Sequence, residues 1–279
     1  MSSLEFNIQK LREGPMKKTF EALEKSFEEF SIDYYLIGAF ARDMWLNHID
    51  ILPDRRTTRD IDFSLFINHY NDFKLLKQHL HDFYGFQLED EPYRITSPDQ
   101  IIVDLLPYGG IEEERLVNLE GKYPIKFSVF GNLEVLNHAK VINSGDSKFK
   151  ICTLPGLCIL KLISGHEKPD RYQKDINDFY YILVNYFDIA NDTLFDEYHE
   201  DLINDDFEPK IAAARMLGRQ ILKILSESES LNNRIIALLT KLRGSFTYEE
   251  IHDMYKQNQN DQLLEKMKLV SEVLREIQE

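Results

Sequence analysis

The stretch that decides the fold runs from residue 33 to residue 66 and reads DYYLIGAFARDMWLNHIDILPDRRTTRDIDFSLF. Residues 34–37 form a short apolar and aromatic run, which is typical of a buried strand. Gly38 ends this run, and residues 39–46 are good helix formers with apolar side chains for a core. A second strand begins near Asp60. The stretch therefore predicts a strand, a glycine turn, a helix, a loop and another strand.

Two features of this stretch suit the binding of a nucleotide and a metal ion. The N-terminus of a helix carries unpaired N–H groups and a partial positive charge, and Gly38 lets a phosphate come close to that backbone. Asp60 and Asp62 alternate with Ile61 in a predicted strand, so both carboxylates emerge on one face. Oxygen donors placed in this way suit Mg²⁺.

A third aspartate, Asp104, interrupts the apolar run of residues 101–106, which we predict to be a strand. A turn-rich tetrapeptide at residues 97–100 should join it to the preceding strand in a hairpin. An unpaired buried carboxylate is costly, so Asp104 requires a metal ion or a cationic partner. If this strand pairs beside the Asp60 strand, Asp104 points to the same face.

The second half of the chain carries charged residues on predicted helices. Lys161 stands alone in the apolar row LCILKLIS, where it either snorkels to solvent or contacts a ligand. Asp175 and Asp178 share one face of a later helix that also carries Lys174. Without further information, the two aspartates also fit an exposed first helical turn, where the helix dipole favours acidic groups.

Four motifs resemble the nucleotidyltransferase superfamily with a DNA polymerase β-like core, and in particular its AbiEii/AbiGii toxin-type members. The motifs are LIGAFARD at residues 36–43, TTRDIDFSL at 57–65, IIVDLLP at 101–107 and RYQKDINDFYYIL at 171–183. The resemblance implies an α+β fold, in which a mixed sheet flanked by helices is followed by a C-terminal helical bundle. It also implies transfer of a nucleoside monophosphate from a nucleoside triphosphate such as ATP, with Mg²⁺ or Mn²⁺ as cofactor.

The same resemblance assigns roles to individual residues. Asp60 and Asp62 hold the metal ions, and Asp104 completes the second metal site and helps to deprotonate the acceptor. The amides after Gly38 cradle phosphate, but Ala39 lacks the hydroxyl that the superfamily usually has there, and the spacing from Gly38 to Asp60 is unusually long. A further group of candidates binds the nucleotide: Arg42, Thr57, Thr58 and Arg59. The two threonines are candidate substitutes for the missing hydroxyl. The late catalytic motif contributes Lys161, Lys174, Asp175 and Asp178.

Length and charge limit the domain count and the partners. The 279 residues allow two ordinary domains, which we place at 1–150 (the nucleotidyltransferase core) and 151–279 (mainly helical). The formal charge of −15 opposes a large interface with nucleic acid. The N-terminus lacks a secretory signature and no apolar run is long enough to span a membrane, so we expect a cytoplasmic protein. Cys152 and Cys158 have no partners at zinc-site spacing, and buried reduced thiols are expected.

Three hypotheses remain for the function of the site and the identity of the acceptor. The resemblance to toxins implies transfer to RNA, such as a tRNA end, and a cognate antitoxin as a partner. An enzyme that modifies a small molecule or a protein suits the acidic chain better. A binding module that keeps the fold without catalysis is the third hypothesis.

Overall fold

The structure is a computed structural model that describes residues 16–46, 60–144, 147–190, 194, 197–244 and 260–278. It divides into two compact units, Met1–Thr153 and Leu154–Glu279. The expected α+β class is confirmed, because the first unit contains a mixed sheet flanked by helices and the second contains helices. Within the described part of the chain, no helix combines the length and the apolar character required to cross a bilayer.

The first unit contains the strand, glycine turn, helix and second strand that the sequence predicts around Gly38. Its elements are α1 (Lys17–Glu29), β1 (Asp33–Ile37), α2 (Gly38–Leu46), β2 (Asp60–Phe66), α3 (Tyr70–Tyr84), β3 (Gln87–Leu88), β4 (Arg94–Thr96), β5 (Ile102–Tyr108), β6 (Leu116–Leu119), β7 (Ile125–Ser128), α4 (Asn132–Asn137), β8 (Lys140–Ser144) and β9 (Ser147–Ile151).

Seven of the described strands form one sheet in the order β3-β4-β5-β2-β1-β9-β8, and β6 pairs with β7 separately. Strand β2 lies at the centre, antiparallel to β1 and parallel to β5. The predicted hairpin of β4 and β5 is confirmed, as is the placement of β5 beside β2. These pairings bring the acidic strands together, because strands in contact lie only about 4.8 Å apart.

One face of the sheet is the apolar core of the unit. The side chains of β2 alternate between the two faces of the sheet. Phe63 points to the apolar face and is 1% exposed. Its ring meets the rings of Phe20 and Phe27 from α1 edge-on, at centroid distances of 6.0 and 5.6 Å, and that of Tyr34 at 5.8 Å. Edge-on contacts suit the charge distribution of aromatic rings, so α1 is fixed on this face.

On the other face, α4 packs beside the acidic ends of the strands. The side-chain amide of the buried Asn132 donates a hydrogen bond to the Ser64 hydroxyl at 3.0 Å, and the main-chain carbonyl of Asn132 accepts one from the Tyr35 hydroxyl at 3.0 Å. Both partners are fully buried, and burial raises the pKa of Tyr35. The sequence of residues 132–136 is compatible with a strand, but the chain is helical there, and Gly131, with φ of 84°, precedes the first turn.

The second unit is helical in its described part, as expected. It consists of α5 (Leu154–Glu167), α6 (Tyr172–Ala190), a 3₁₀ turn (Glu197–Leu202), α7 (Pro209–Leu225), α8 (Glu229–Gly244) and α9 (Asn260–Gln278). Within the 3₁₀ turn, His199 and Leu202 are buried. Thr247 and Glu250, whose spacing predicts a capping box, lie outside the described residues.

The two cysteines are free and buried, as predicted. Burial raises the pKa of the Cys158 thiol, which keeps it in the unreactive protonated form.

Replacing Phe63 with alanine tests the aromatic core. Loss of this buried ring should lower the free energy of unfolding by about 3–5 kcal/mol, because the rings around it cannot close the cavity. Urea unfolding followed by circular dichroism measures the change. Phe83→Ala is the matched control, since Phe83 is 75% exposed and its loss should change stability little. Equal effects of the two substitutions would contradict the proposed core.

Candidate functional site

The acidic site of the first unit is built by the register of three strands. Asp62 on β2 lies directly opposite Asp104 on β5, and Asp60 lies opposite Ile102 on the same face. The three carboxylates therefore share one face of the sheet, as predicted from the alternation of the strands. Asp60 and Asp62 are partly exposed, whereas Asp104 is buried.

Gly38 and Asp62 are in direct contact. Asp62 pairs with Ile37, the last residue of β1, so its side chain lies beside the first residue of α2. A Cβ on residue 38 would lie 2.0 Å from Oδ2 of Asp62, and Gly38 has φ of +75°, a conformation that side chains disfavour. The glycine is therefore required twice, for the turn and for the carboxylate above it.

The other predicted nucleotide-binding residues fall into two groups. Ala39 follows Gly38 at the start of α2 and is partly exposed. Arg42 is buried, and its guanidinium donates to Oδ1 of Asp43 at 2.8 Å from Nε and 2.5 Å from Nη2. It is thus engaged with its neighbour rather than directed to solvent. Thr57, Thr58 and Arg59 lie outside the described residues.

Sequence analysis missed one residue of this site, Arg94 on β4. It lies opposite Asp104 in the β4–β5 ladder, and its guanidinium donates two hydrogen bonds to that carboxylate, Nε to Oδ1 at 2.7 Å and Nη2 to Oδ2 at 2.8 Å. These hydrogen bonds raise the pKa of Arg94, and the charge of Asp60 adds to the effect. The predicted hairpin contained the signal, because closing it over residues 97–100 brings Arg94 to the strand position beside Asp104.

The donor set only partly fits a metal ion. Asp60 and Asp62 are accessible oxygen donors on one face, as Mg²⁺ prefers. Asp104 already uses both oxygens toward Arg94. Among the described residues, no group of three or more histidine, cysteine or acidic side chains is arranged to hold an ion. A pair of carboxylates therefore fits the ion, and a set of three does not in this arrangement.

The late motif forms a charge cluster within the second unit. Lys161 of α5 donates to Oδ1 of Asp175 at 2.8 Å, and its Nζ lies 2.9 Å from Oδ2 of Asp178. Ser164 donates to the other Asp175 oxygen at 2.9 Å, and Arg171 lies 3.5 Å from it. The cluster therefore ties α5 to the first turns of α6.

Two interpretations of this motif are corrected by the structure. Lys161 does not snorkel to solvent, since its side chain is 10% exposed and lies against two carboxylates. Asp175 does not lie on an exposed helical turn, because it is fully buried. Lys174 is exposed, in contrast to the buried Lys161.

No protein-family model matches the chain, and no curated protein does. Among solved structures, the chain is similar to the crystal structure of an antigenic nucleotidyltransferase-like protein from Paracoccidioides brasiliensis. The two are 17% identical, the match covers 60% of this chain and 74% of that chain, and the TM-score is 0.38. At that identity and TM-score, neither the fold nor the activity of this chain follows from the likeness.

Replacing Gly38 with alanine tests the contact with Asp62. The left-handed backbone disfavours a side chain by about 1–2 kcal/mol, and the new methyl group must also displace the carboxylate. We expect a lower melting temperature, measured by differential scanning calorimetry. Gly244→Ala is the control, because a Cβ there meets no atom within 4 Å. A Gly38→Ala protein as stable as the control would contradict the close approach.

Replacing Lys161 with methionine tests the buried cluster. The substitution leaves two buried carboxylates without their shared ammonium group, which should cost about 3–5 kcal/mol of unfolding free energy. Lys174→Met removes an exposed lysine from the neighbouring helix and should change stability by no more than about 0.5 kcal/mol. Urea unfolding of both variants measures the difference, and similar values for the two would show that Lys161 is not the counter-ion of the cluster.

Proposed function

We propose that this protein is a nucleotidyltransferase, which moves a nucleoside monophosphate from a nucleoside triphosphate to an acceptor. The observation that carries the proposal is the juxtaposition of Gly38, Asp62 and Asp104, which three separate motifs of the sequence contribute: Asp62 lies against Gly38 and directly opposite Asp104. Phosphate-binding backbone at the start of α2 then lies beside the carboxylates. The motif resemblance to the nucleotidyltransferase superfamily supports the same conclusion.

Asp60 and Asp62 are the residues that would hold a divalent cation, Mg²⁺ or Mn²⁺. When bound, such an ion neutralises charge on the triphosphate and on the leaving pyrophosphate. The backbone amides after Gly38 belong to the first turn of α2 and can donate to phosphate oxygens. In this arrangement, the two carboxylates hold the ion and the backbone of α2 positions the triphosphate.

The reaction forms one bond and breaks one. An acceptor oxygen attacks the α-phosphorus of the triphosphate, the bond between the α-phosphorus and the bridging oxygen breaks, and pyrophosphate leaves with the electron pair. The acceptor proton requires a base, and Asp104 is the nearest carboxylate to the Asp60–Asp62 pair in the row. That carboxylate also accepts two hydrogen bonds from Arg94, which hold it in place beside the pair.

For the acceptor, the motif resemblance supports an RNA end, such as that of a tRNA, and with it a toxin that has a cognate antitoxin. The formal charge of −15 supports a small molecule or a protein instead, because nucleic-acid binding depends on cationic side chains. The two acceptor classes can be distinguished with a labelled nucleotide, because the label would remain in the RNA fraction for the first class and in the protein or metabolite fraction for the second. The engagement of Asp104 by Arg94 is the observation that favours a silent binding module as a second candidate.

Thermal unfolding with each nucleoside triphosphate and Mg²⁺ tests the nucleotide site. A ligand that binds only the folded state stabilises it by about 2.7 kcal/mol at roughly a hundred times its Kd, so the melting temperature should rise. The double variant Asp60→Asn with Asp62→Asn should stay folded and lose this rise. Asp90→Asn, an exposed carboxylate paired with Lys122, is the control and should keep it. A full response of the double variant would place the nucleotide elsewhere.

Incubation with α-labelled nucleoside triphosphates and cellular RNA, protein extract or metabolites then identifies the acceptor. Label in the RNA fraction supports the toxin-type activity, and label in the protein or metabolite fraction supports the second acceptor class. Nucleotide binding without label in any fraction would favour the silent module and contradict the proposed activity.

A further inference from the structure

The turn at Gly38 lies between two segments that hydrogen-bond to the same residue, Cys152. The main-chain N–H of Cys152 donates to the carbonyl of Leu36, just before the turn, at 2.9 Å. The main-chain carbonyl of Cys152 accepts a hydrogen bond from Nε1 of Trp45, near the end of α2, at 2.8 Å. The end of β1 and the end of α2 are therefore tied to each other through one buried residue.

Cys152 is a fixed acceptor for the indole group. It follows Ile151, the last residue of β9, which pairs with Leu36 of β1. Its side chain is fully buried, and its N–H is already bonded to β1. Because the sheet holds this carbonyl in place, the hydrogen bond from Trp45 fixes α2 relative to β1.

The apolar contacts of α2 do not set its direction in the same way. This helix has only nine residues, and helices of that length depend on tertiary contacts for their stability. Ala41, Met44 and Leu46 are buried in the core. The ring of Phe40 stacks on that of Phe20 at a centroid distance of 6.1 Å. Apolar burial is not directional, whereas a hydrogen bond requires the donor to point at its acceptor.

Two fixed points define the axis of α2. At its start, Gly38 has φ of +75° and lies against Asp62. Trp45 lies almost two helical turns later, roughly 10 Å along the axis, where its indole bond fixes the other end. The unpaired N–H groups of the first turn point along the helix axis, so a tilt of α2 would change the direction in which they donate.

We propose that Trp45 is a positioning residue for the phosphate site: its hydrogen bond to the Cys152 carbonyl sets the direction of α2 and of the N–H groups that donate to the triphosphate. The inference rests on the proposed function, because it requires that the start of α2 binds phosphate. Trp45 acts through the backbone of α2 and takes no part in the transfer itself.

Trp45→Phe tests the proposal, because it keeps an aromatic ring and removes the N–H donor. Isothermal titration calorimetry measures the Kd of the full-length protein, with Mg²⁺ present, for the nucleoside triphosphate that raises its melting temperature. We expect the Kd to rise about tenfold, which corresponds to the loss of one well-directed hydrogen bond to a charged phosphate. A rise of less than about threefold in a folded Trp45→Phe protein would overturn the role of Trp45.

Two control variants separate positioning from a general loss of stability. Cys152→Ala removes a fully buried thiol and should lower the melting temperature. It should leave the Kd within about twofold, because Trp45 bonds to the main chain of residue 152. Tyr70→Phe removes another aromatic donor of the same unit, which bonds to the main chain of Glu120, and should also leave the Kd within about twofold. A tenfold rise in either control would show that the Kd follows stability, and would overturn the inference.

The native protein provides a second measurement, because Trp45 is the one tryptophan of the sequence. Its fluorescence emission therefore reports on this indole alone. Binding of the triphosphate at the start of α2 should change the emission, with a midpoint equal to the Kd from calorimetry. Binding without any change in emission would show that the phosphate site and Trp45 are independent. That result would overturn the inference even where Trp45→Phe fails to fold.

The remaining outcomes separate this inference from the proposed function. A native protein that binds no nucleoside triphosphate would overturn both. A native protein that binds one, and loses it in the double variant Asp60→Asn with Asp62→Asn, supports the proposed function whatever the result for Trp45→Phe. The same native protein with a tenfold weaker Trp45→Phe variant and two unchanged controls would support both.

Discussion

The carboxylate of Asp62 lies where residue 38 would carry a Cβ, and the arrangement of the acidic face depends on this contact. It requires a glycine at the end of β1, and it sets the start of α2 beside the central strand. The register that places Asp62 opposite Ile37 also places it opposite Asp104 on the other side. A slip of β2 by one residue would turn Asp60 and Asp62 toward the apolar core on the opposite face, and a slip of β5 would do the same to Asp104.

The second unit also buries charge, and it does so by matching each charge with partners on another element. Glu276 of α9 accepts hydrogen bonds from Arg215 and Arg219 of α7, and Asp201 of the 3₁₀ turn accepts from both arginines. Gly218 lets the two helices come close, since a Cβ there would lie 2.9 Å from the Val273 carbonyl oxygen of α9. Such networks are costly to break at one member, and they favour one relative position of α7 and α9 over others.

The elements that sequence patterns predicted well are those whose periodicity and turn chemistry agree. The strand, glycine turn and helix around Gly38, and the hairpin that carries Asp104, follow from alternation and from Gly, Ser, Pro and Asp at turns. Partners across strands were harder to predict, because the pattern of β4 shows that Arg94 is polar without showing that Asp104 is its neighbour. The short helix at Asn132–Asn137 was also hard to predict, because its apolar residues fit a strand equally well. Its hydrogen bonds to Ser64 and Tyr35 fix its position on the sheet.

The parallel pairing of β1 with β9 has a consequence for synthesis of the chain. Leu36 pairs with Ile151, so one long side of β1 stays without a neighbour until the last strand of the first unit has left the ribosome. Pairings between strands far apart in sequence form slowly, and an unpaired strand edge during that interval can pair with the edge of another chain. The nascent first unit is therefore most prone to misassembly just before β9 emerges. Binding of a chaperone to the nascent chain would be most effective at that stage.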